Sequence, residues 1–346
     1  MRALVFQGAW DIGVEERPDP RPRPGEVLLE IVATGICGSD VHGYTGENGR
    51  RHPGQVMGHE TVGRVAELGE GVSGPRAGTL VTVNPLVACG DCPACAADAQ
   101  QSCPRRRVIG VAADISAAFA ELMTAPAANV VPLPDTMPVE YGALVEPLAV
   151  GQHAARRGQV GPDDRVLVIG GGPIGQACVL AAQRCGAGKV LVSEPAGRRR
   201  TLNETLGALT ANPTAADLPT ACAELLGGPA TVVLDAVGAS ATLADAFAAS
   251  AFGARVVLVG MHEPRLDLSA YAISTEERTL IGSFCYSAAD FRETAAWVAE
   301  APAELAALID GRVDMDGAAE TFRRLGRGES EASKVLVFPH GLEAAR

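Results

Sequence analysis

Cys37, His59 and Glu60 are the residues of this chain whose types and spacing lend themselves most directly to chemistry. Cys37 opens the run Cys37-Gly-Ser-Asp-Val-His42, and Gly58-His-Glu60 follows about twenty residues later. A thiolate, an imidazole and a carboxylate are good ligands for zinc, and three protein ligands leave a fourth position open for water or substrate. Asp40 could accept a hydrogen bond from the far nitrogen of His59 and hold the ring in its ligating tautomer. Ser39 and His42 could carry a proton away. Plain alternatives stand beside each role: a buried thiol, a solvated His-Glu pair, a helix-capping serine, a histidine exposed on a turn.

A second cluster is denser. Cys89, Cys92, Cys95 and Cys103 follow C-x-x-C-x-x-C-x7-C. Thiolates two residues apart on a tight turn can point at one centre, and a fourth closes the tetrahedron with no position left for water, so such a site is structural. Free or disulfide-bonded thiols and an iron-sulfur cluster are the other readings. Nine cysteines, an odd number with four crowded together, fit a reducing compartment better than a secreted disulfide framework.

The third constellation is Gly170-Gly-Gly172-Pro173-Ile174-Gly175, a G-x-G-x-x-G run directly after an apolar strand and directly before a helical stretch. Gly170 permits the tight turn, Gly172 lets the backbone approach a pyrophosphate, and Gly175 lets helix and strand pack closely. Glu194 closes the next strand, where it can bind both ribose hydroxyls and repel a 2'-phosphate, which favours NAD. Arg198, Arg199 and Arg200 follow closely, and one of them could instead attract that phosphate, which keeps NADP open. A solvated first helical turn is the plain reading of these arginines.

These residues need two kinds of scaffold. Residues 27–32 and 62–65 are rich in β-branched types and broken by Gly and Pro turns, which predicts a β-rich domain over 1–148. From residue 165 apolar strands alternate with Ala/Leu-rich helices: strands at 165–169, 189–192, 231–234, 255–259 and 279–281, and a helix at 174–185. The pattern predicts a doubly wound parallel α/β domain over 149–286. Past about residue 290 the alternation fades, and 287–346 is expected to return to the first domain through a strand at 334–338.

At 346 residues and 47% hydrophobic composition the chain is long enough for two cores. A net charge of −12 without a long basic run argues against nucleic acid or an anionic membrane, and no apolar run is long enough to cross a bilayer. A cytoplasmic protein acting on a small molecule is the expectation.

Over essentially its whole length the sequence resembles the zinc-containing medium-chain dehydrogenase/reductase family. Gly58-His-Glu-Thr-Val-Gly63 with Gly69 and Val72 fits the family's G-H-E-x-x-G-x5-G-x-x-V signature, and the four cysteines match its structural-zinc lobe. Cys37-Gly-Ser-Asp-Val-His42 and Glu146-Pro-Leu-Ala-Val-Gly151 look most like the polyol and threonine dehydrogenase branch. The resemblance implies a GroES-like catalytic domain, a Rossmann domain, and two zinc ions per chain. It implies that Cys37, His59 and Glu60 hold the catalytic zinc, with Glu146 binding its water or substrate or ligating it in some states. It also implies that Ser39 and His42 relay the proton, that Arg199 lies at the adenosine ribose, and that Val259, Gly260, Met261, Phe284 and Cys285 flank the nicotinamide. A homodimer or homotetramer is implied as well. The alternative for Glu146 is a helix N-terminal charge, and both roles can hold at once.

The chain departs from sorbitol dehydrogenases at substrate positions. Gly43 replaces the Tyr that follows the relay His, with Tyr44 one place later, and Phe284-Cys-Tyr286 lacks the sugar-binding Arg. The activity so implied is hydride transfer between NAD(P) and a secondary alcohol of polyol, cyclitol, amino-alcohol or diol type. The alternatives are a zinc-free NADPH quinone or enone reductase and a non-catalytic nucleotide-binding protein on the same fold.

Overall fold

The computed structural model describes residues 1–47, 49–330 and 332–345, with no side-chain account of 344 and 345. The chain forms two compact units. Met1–Glu146 with Ser287–Arg346 make one, and Pro147–Tyr286 the other.

The first unit is built on antiparallel strands. Glu26–Gly35 is its central ribbon, with Val27, Leu29 and Ile31 fully buried and Glu30 exposed, the period-2 pattern of a sheet with one dry face. One edge of it pairs with Glu60–Leu68, which in turn pairs with Leu80–Val83 and then Val130–Pro132. Its other edge takes Leu122–Pro126 and, further along, Val335–Phe338. Gly311–Asp314 lies parallel outside that last strand. The chain's end therefore completes a sheet begun more than three hundred residues earlier. Arg2–Gly8, Asp11–Glu16 and Gln55–Val56 form a separate three-stranded sheet.

Tyr44 belongs to the core of this unit. It is buried, its ring lies 5.5 Å from that of Trp10 and 5.6 Å from that of Phe322, and its hydroxyl donates to the Trp10 carbonyl at 3.1 Å. A ring so placed is a packing residue. It does not replace a substrate-facing tyrosine missing from position 43.

In the second unit six parallel strands stand in the order Leu209–Ala211, Lys189–Ser193, Arg165–Ile169, Ala230–Asp235, Ser250–Leu258, Thr279–Gly282. In chain order this is 3-2-1-4-5-6, the doubly wound arrangement whose switch point lies between the first and fourth strands. Val166, Leu167, Val168, Val190, Leu191, Val232, Val233 and Leu234 are buried, as central strands covered on both faces must be. Leu209–Ala211 escapes the sequence reading because three residues carry no periodicity.

Candidate functional site

Sheet register assembles the metal-ligand candidates. Gly35 pairs with Glu60 across neighbouring strands, and Cys37 follows two residues later as the N-cap of the helix Gly38–Thr45. The ligand atoms of Cys37, His59 and Glu60 lie within 4.8 Å of one another. His59 and Glu60 are buried, not a solvated pair. The Cys37 amide donates to Asp40 Oδ2 at 3.2 Å, which fixes the third helical position at the start of the turn.

Asp40 is wholly buried, and its Oδ1 stands 3.5 Å from His59 Nδ1 and 3.6 Å from an Arg51 guanidinium nitrogen. At these lengths neither contact is a hydrogen bond, and Asp40 Oδ1 and His59 Nδ1 are both buried without a hydrogen-bond partner. With Nδ1 turned to Asp40, the other ring nitrogen is the one left to serve a metal. Burial opposes charge on His59, yet Asp40 and Cys37 outweigh it and hold the imidazole's pKa well above its ordinary value. Burial likewise works to raise Asp40, while His59 and Arg51 hold it below its ordinary value. The sulfur, nitrogen and oxygen donors of Cys37, His59 and Glu60 fit zinc.

Two cations missed by the sequence reading complete the surroundings. Lys334 Nζ donates to both Glu60 oxygens, at 2.6 and 2.5 Å, with the two side chains 4% and 1% exposed. Burial works to lower the lysine's pKa, but Glu60 and Cys37 outweigh it and raise it, so the group is an ammonium. Arg51, also buried, fills the space that Gly43 leaves: a Cβ at position 43 would lie 2.7 Å from Arg51 Cγ and 2.9 Å from its Nε. The glycine that stands where sorbitol dehydrogenases carry a tyrosine therefore admits an arginine to Asp40. Gly43 was the available signal for Arg51; nothing local marked Lys334, 274 residues from its partner.

Ser39 and His42 lie three positions apart on the same helix, both half-buried, so they share one helical face. Ser39 is not the cap, since Cys37 occupies that position, and His42 is in the helix, not on an exposed turn. Glu146 is buried in the first turn of Val145–Arg157, where the helix dipole favours its charge. It stands outside the mutual-distance set of the three ligand candidates, although its charge is felt at Lys334. Tyr286 is fully buried.

The cysteine lobe is self-contained. Sulfur separations are 3.4 Å for Cys103–Cys89, 3.5 Å for Cys92–Cys95 and 3.8 Å for Cys89–Cys95. Zn–S bonds of about 2.3 Å give a tetrahedron with edges of about 3.8 Å, so the four thiols are already spaced for one ion. None of the nine cysteines is in a disulfide. Loss of solvent around the sulfur pushes Cys95 up to about 11, against a backbone hydrogen bond from Gly90 that works to lower it.

In the second unit Gly172 caps the helix Pro173–Arg184, with Pro at the first position, and leaves the helix N-terminus open to an anion. A Cβ on Gly175 would lie 1.8 Å from the Gly170 carbonyl oxygen, so only glycine permits this helix–strand approach. Glu194 is buried at the end of Lys189–Ser193 and accepts from the amides of Gly171 at 2.7 Å and Ala196 at 2.8 Å. Arg200 is turned onto the carbonyls of Glu194 and Pro195, while Arg199 lies near Gly172. Val259, Gly260 and Met261 follow Ser250–Leu258, and Phe284 and Cys285 follow its neighbour Thr279–Gly282. Met261 is 71% exposed and Phe284 40% at this carboxyl edge of the sheet.

Residues 23–135 match the model of the alcohol dehydrogenase GroES-like domain, and 173–300 that of the zinc-binding dehydrogenase domain. The chain is 33% identical to 2-dehydro-3-deoxy-L-galactonate 5-dehydrogenase of Pseudoalteromonas atlantica, over 97% of this chain and 98% of the relative. A zinc-binding dehydrogenase of Sinorhizobium meliloti bound to NADP superposes with a TM-score of 0.90 at 30% identity, covering 98% of this chain and 99% of that one. An alcohol dehydrogenase of Escherichia coli CFT073 complexed with NADH gives 0.90 at 28%, with the same coverage. The chain belongs to the zinc-containing medium-chain dehydrogenase/reductase family. It is an NAD(P)-dependent alcohol dehydrogenase acting on CH–OH groups, and these likenesses do not support the zinc-free reductase or the non-catalytic reading.

Proposed function

We propose that this enzyme oxidises a secondary alcohol of a polyhydroxylated substrate, of polyol or sugar-acid type, with one zinc held by Cys37, His59 and Glu60 and a second by the four cysteines. The observation that carries the reading is the convergence of one sulfur, one imidazole and one carboxylate within 4.8 Å, beside a buried aspartate aimed at the imidazole. A sugar-acid dehydrogenase among the relatives supports the substrate class.

When bound, zinc supplies Lewis acidity at the substrate hydroxyl and the nicotinamide accepts the hydride. The chain's own residues manage the proton and the geometry. Asp40 orients His59. Ser39 and His42 take the hydroxyl proton and pass it outward along one face of their helix, and Glu146 offers a second acceptor. In the second unit Gly170, Gly172, Pro173, Ile174 and Gly175 cradle the pyrophosphate. Val259, Gly260, Met261, Phe284 and Cys285 flank the nicotinamide with a mixed apolar surface.

NAD is the preferred cofactor in this reading. A buried Glu194 carboxylate at the end of the second strand supports a ribose with free hydroxyls over a 2'-phosphate, and Arg200 is committed to backbone carbonyls. Arg199 serves the adenosine side. Nine unbridged cysteines suit the cytoplasm. The sheet edge Thr279–Gly282, with Phe252 64% exposed on the strand paired to it and Tyr271 80% exposed on the helix before it, supports self-association as a dimer or tetramer.

The test is a panel of polyols, sugar acids, cyclitols, amino alcohols and diols assayed with NAD and NADP in parallel. A polyol or sugar acid turned over with at least about tenfold preference for NAD, roughly 1.4 kcal/mol, is the expected result. Oxidation confined to simple diols or amino alcohols, or dependent on NADP, contradicts it.

A further inference from the structure

The chemistry above gives Lys334 no role, yet its ammonium holds both oxygens of a metal-ligand candidate in a dry site. We propose that Lys334 is a positioning residue that competes with the bound metal for the Glu60 carboxylate and so makes Glu60 a displaceable ligand. The proposal rests on the reading that Cys37, His59 and Glu60 hold zinc.

The lysine is built in. Its own amide donates to Asp310 Oδ1 at 2.9 Å and the Ser333 amide to Asp310 Oδ2 at 2.8 Å, which pins the backbone just before Val335–Phe338. That strand pairs Leu336 with Gly35, and Gly35 pairs with Glu60 on its other side. A Cβ on Gly35 would lie 2.1 Å from Glu60 Oε2, so the missing side chain is what lets the carboxylate lie across the strand toward the lysine. Nζ also approaches the Ile36 carbonyl at 3.4 Å. An ammonium on a locked strand cannot withdraw when a metal arrives.

Charge fixes the sign of the effect. A Cys37 thiolate with the Glu60 and Glu146 carboxylates carries three negative charges, and zinc with Lys334 carries three positive ones. Removing the lysine relieves zinc of a cationic neighbour. It also takes from Glu60 the cation that hydrogen-bonds both its oxygens in the metal-free protein, where a poorly paired buried carboxylate is costly. Both changes favour the metal-bound form. A lysine that only tied the closing strand in place would act in the opposite sense, since its loss would loosen the site and speed metal release.

The experiment follows zinc release from the purified holoenzyme to a chromogenic chelator, with the four-cysteine zinc of the same chain as internal reference. Lys334→Met is expected to slow release of the catalytic zinc about tenfold, the size typical of outer-shell changes, and to leave the reference phase unchanged. Lys334→Arg grips a carboxylate with two parallel donors and is expected to release it faster than the wild type. Either variant alone decides the sign if the other does not fold. Release from the Met variant at the wild-type rate or faster, or from the Arg variant at the wild-type rate or slower, overturns the proposal. A wild-type enzyme that releases only the four-cysteine zinc overturns the reading beneath it as well.

Discussion

Two cysteine-bearing clusters in the first unit meet the same requirement by opposite means. Cys89, Cys92, Cys95 and Cys103 come from one short stretch, already stand at tetrahedral separations, and use one ligand type throughout. Cys37, His59 and Glu60 come from a helix start and the entry to one strand, and two of the three are turned to other side chains: His59 faces Asp40, and Glu60 is held by Lys334. A closed set of four like ligands at tetrahedral spacing resists exchange, whereas one whose carboxylate is shared with a buried ammonium can open a position during turnover. In the proposed reading the first is a staple and the second a catalyst.

The sharpest way to break that contrast is to remove a catalytic ligand candidate. Cys37→Ala or His59→Ala should lower kcat by at least about a thousandfold while NAD binding, followed by fluorescence titration, stays near wild type. Metal analysis should then find one zinc where the wild type holds two. Undiminished turnover in either variant would remove the distinction. Cys103→Ser makes the converse change and should lower the melting temperature by roughly 5–10 °C, equivalent to a few kcal/mol, with kcat per folded chain little altered.

Arg51→Met probes the shared ligands more finely. It strips the buried Asp40 of one of two cationic neighbours and should weaken retention of the catalytic zinc by about ten- to a hundredfold. Gly43→Ala should do the same by displacing Arg51. The double variant should be no worse than the worse single one, because both act through one contact. Additive losses would mean that position 43 and Arg51 act separately.

The smallest effect concerns cysteines outside both clusters. Burial pushes Cys178 up to about 12 and Cys222 up to about 11. At pH 8 their thiolate fractions are then roughly one in ten thousand and one in a thousand, and they rise as the pH approaches those values. Alkylation mapped by mass spectrometry should leave both unmodified in the native protein at pH 8 and modify them on unfolding. Modification of either at the rate of a free thiol would contradict their burial.

How far the sequence reveals this arrangement depends on how local each part is. The parallel sheet is legible because its strands are continuous apolar runs, and the dinucleotide turn because its glycines, strand and helix are contiguous. The four cysteines lie within fifteen positions, and Gly58-His-Glu60 is a dense motif. Lys334 is not legible, because its partner is set by the register of Val335–Phe338 on Glu26–Gly35, which no spacing encodes. Gly43 is visible as a departure, but its consequence, the buried Arg51, depends on tertiary contacts of Arg51 with Asp40 and the Ser39 carbonyl on the helix. Tyr44 misleads for a related reason. Only packing against Trp10 and Phe322 shows that its ring belongs to the core.

The contrast between the two clusters is tested most directly by metal release from the unmodified enzyme, with zinc, activity and thermal stability measured on the same samples. The account predicts two zinc ions per chain released in two phases. The first should carry away catalytic activity with the fold intact, and the second should carry away stability. A single zinc per chain, or one phase in which activity and stability fall together, would contradict it.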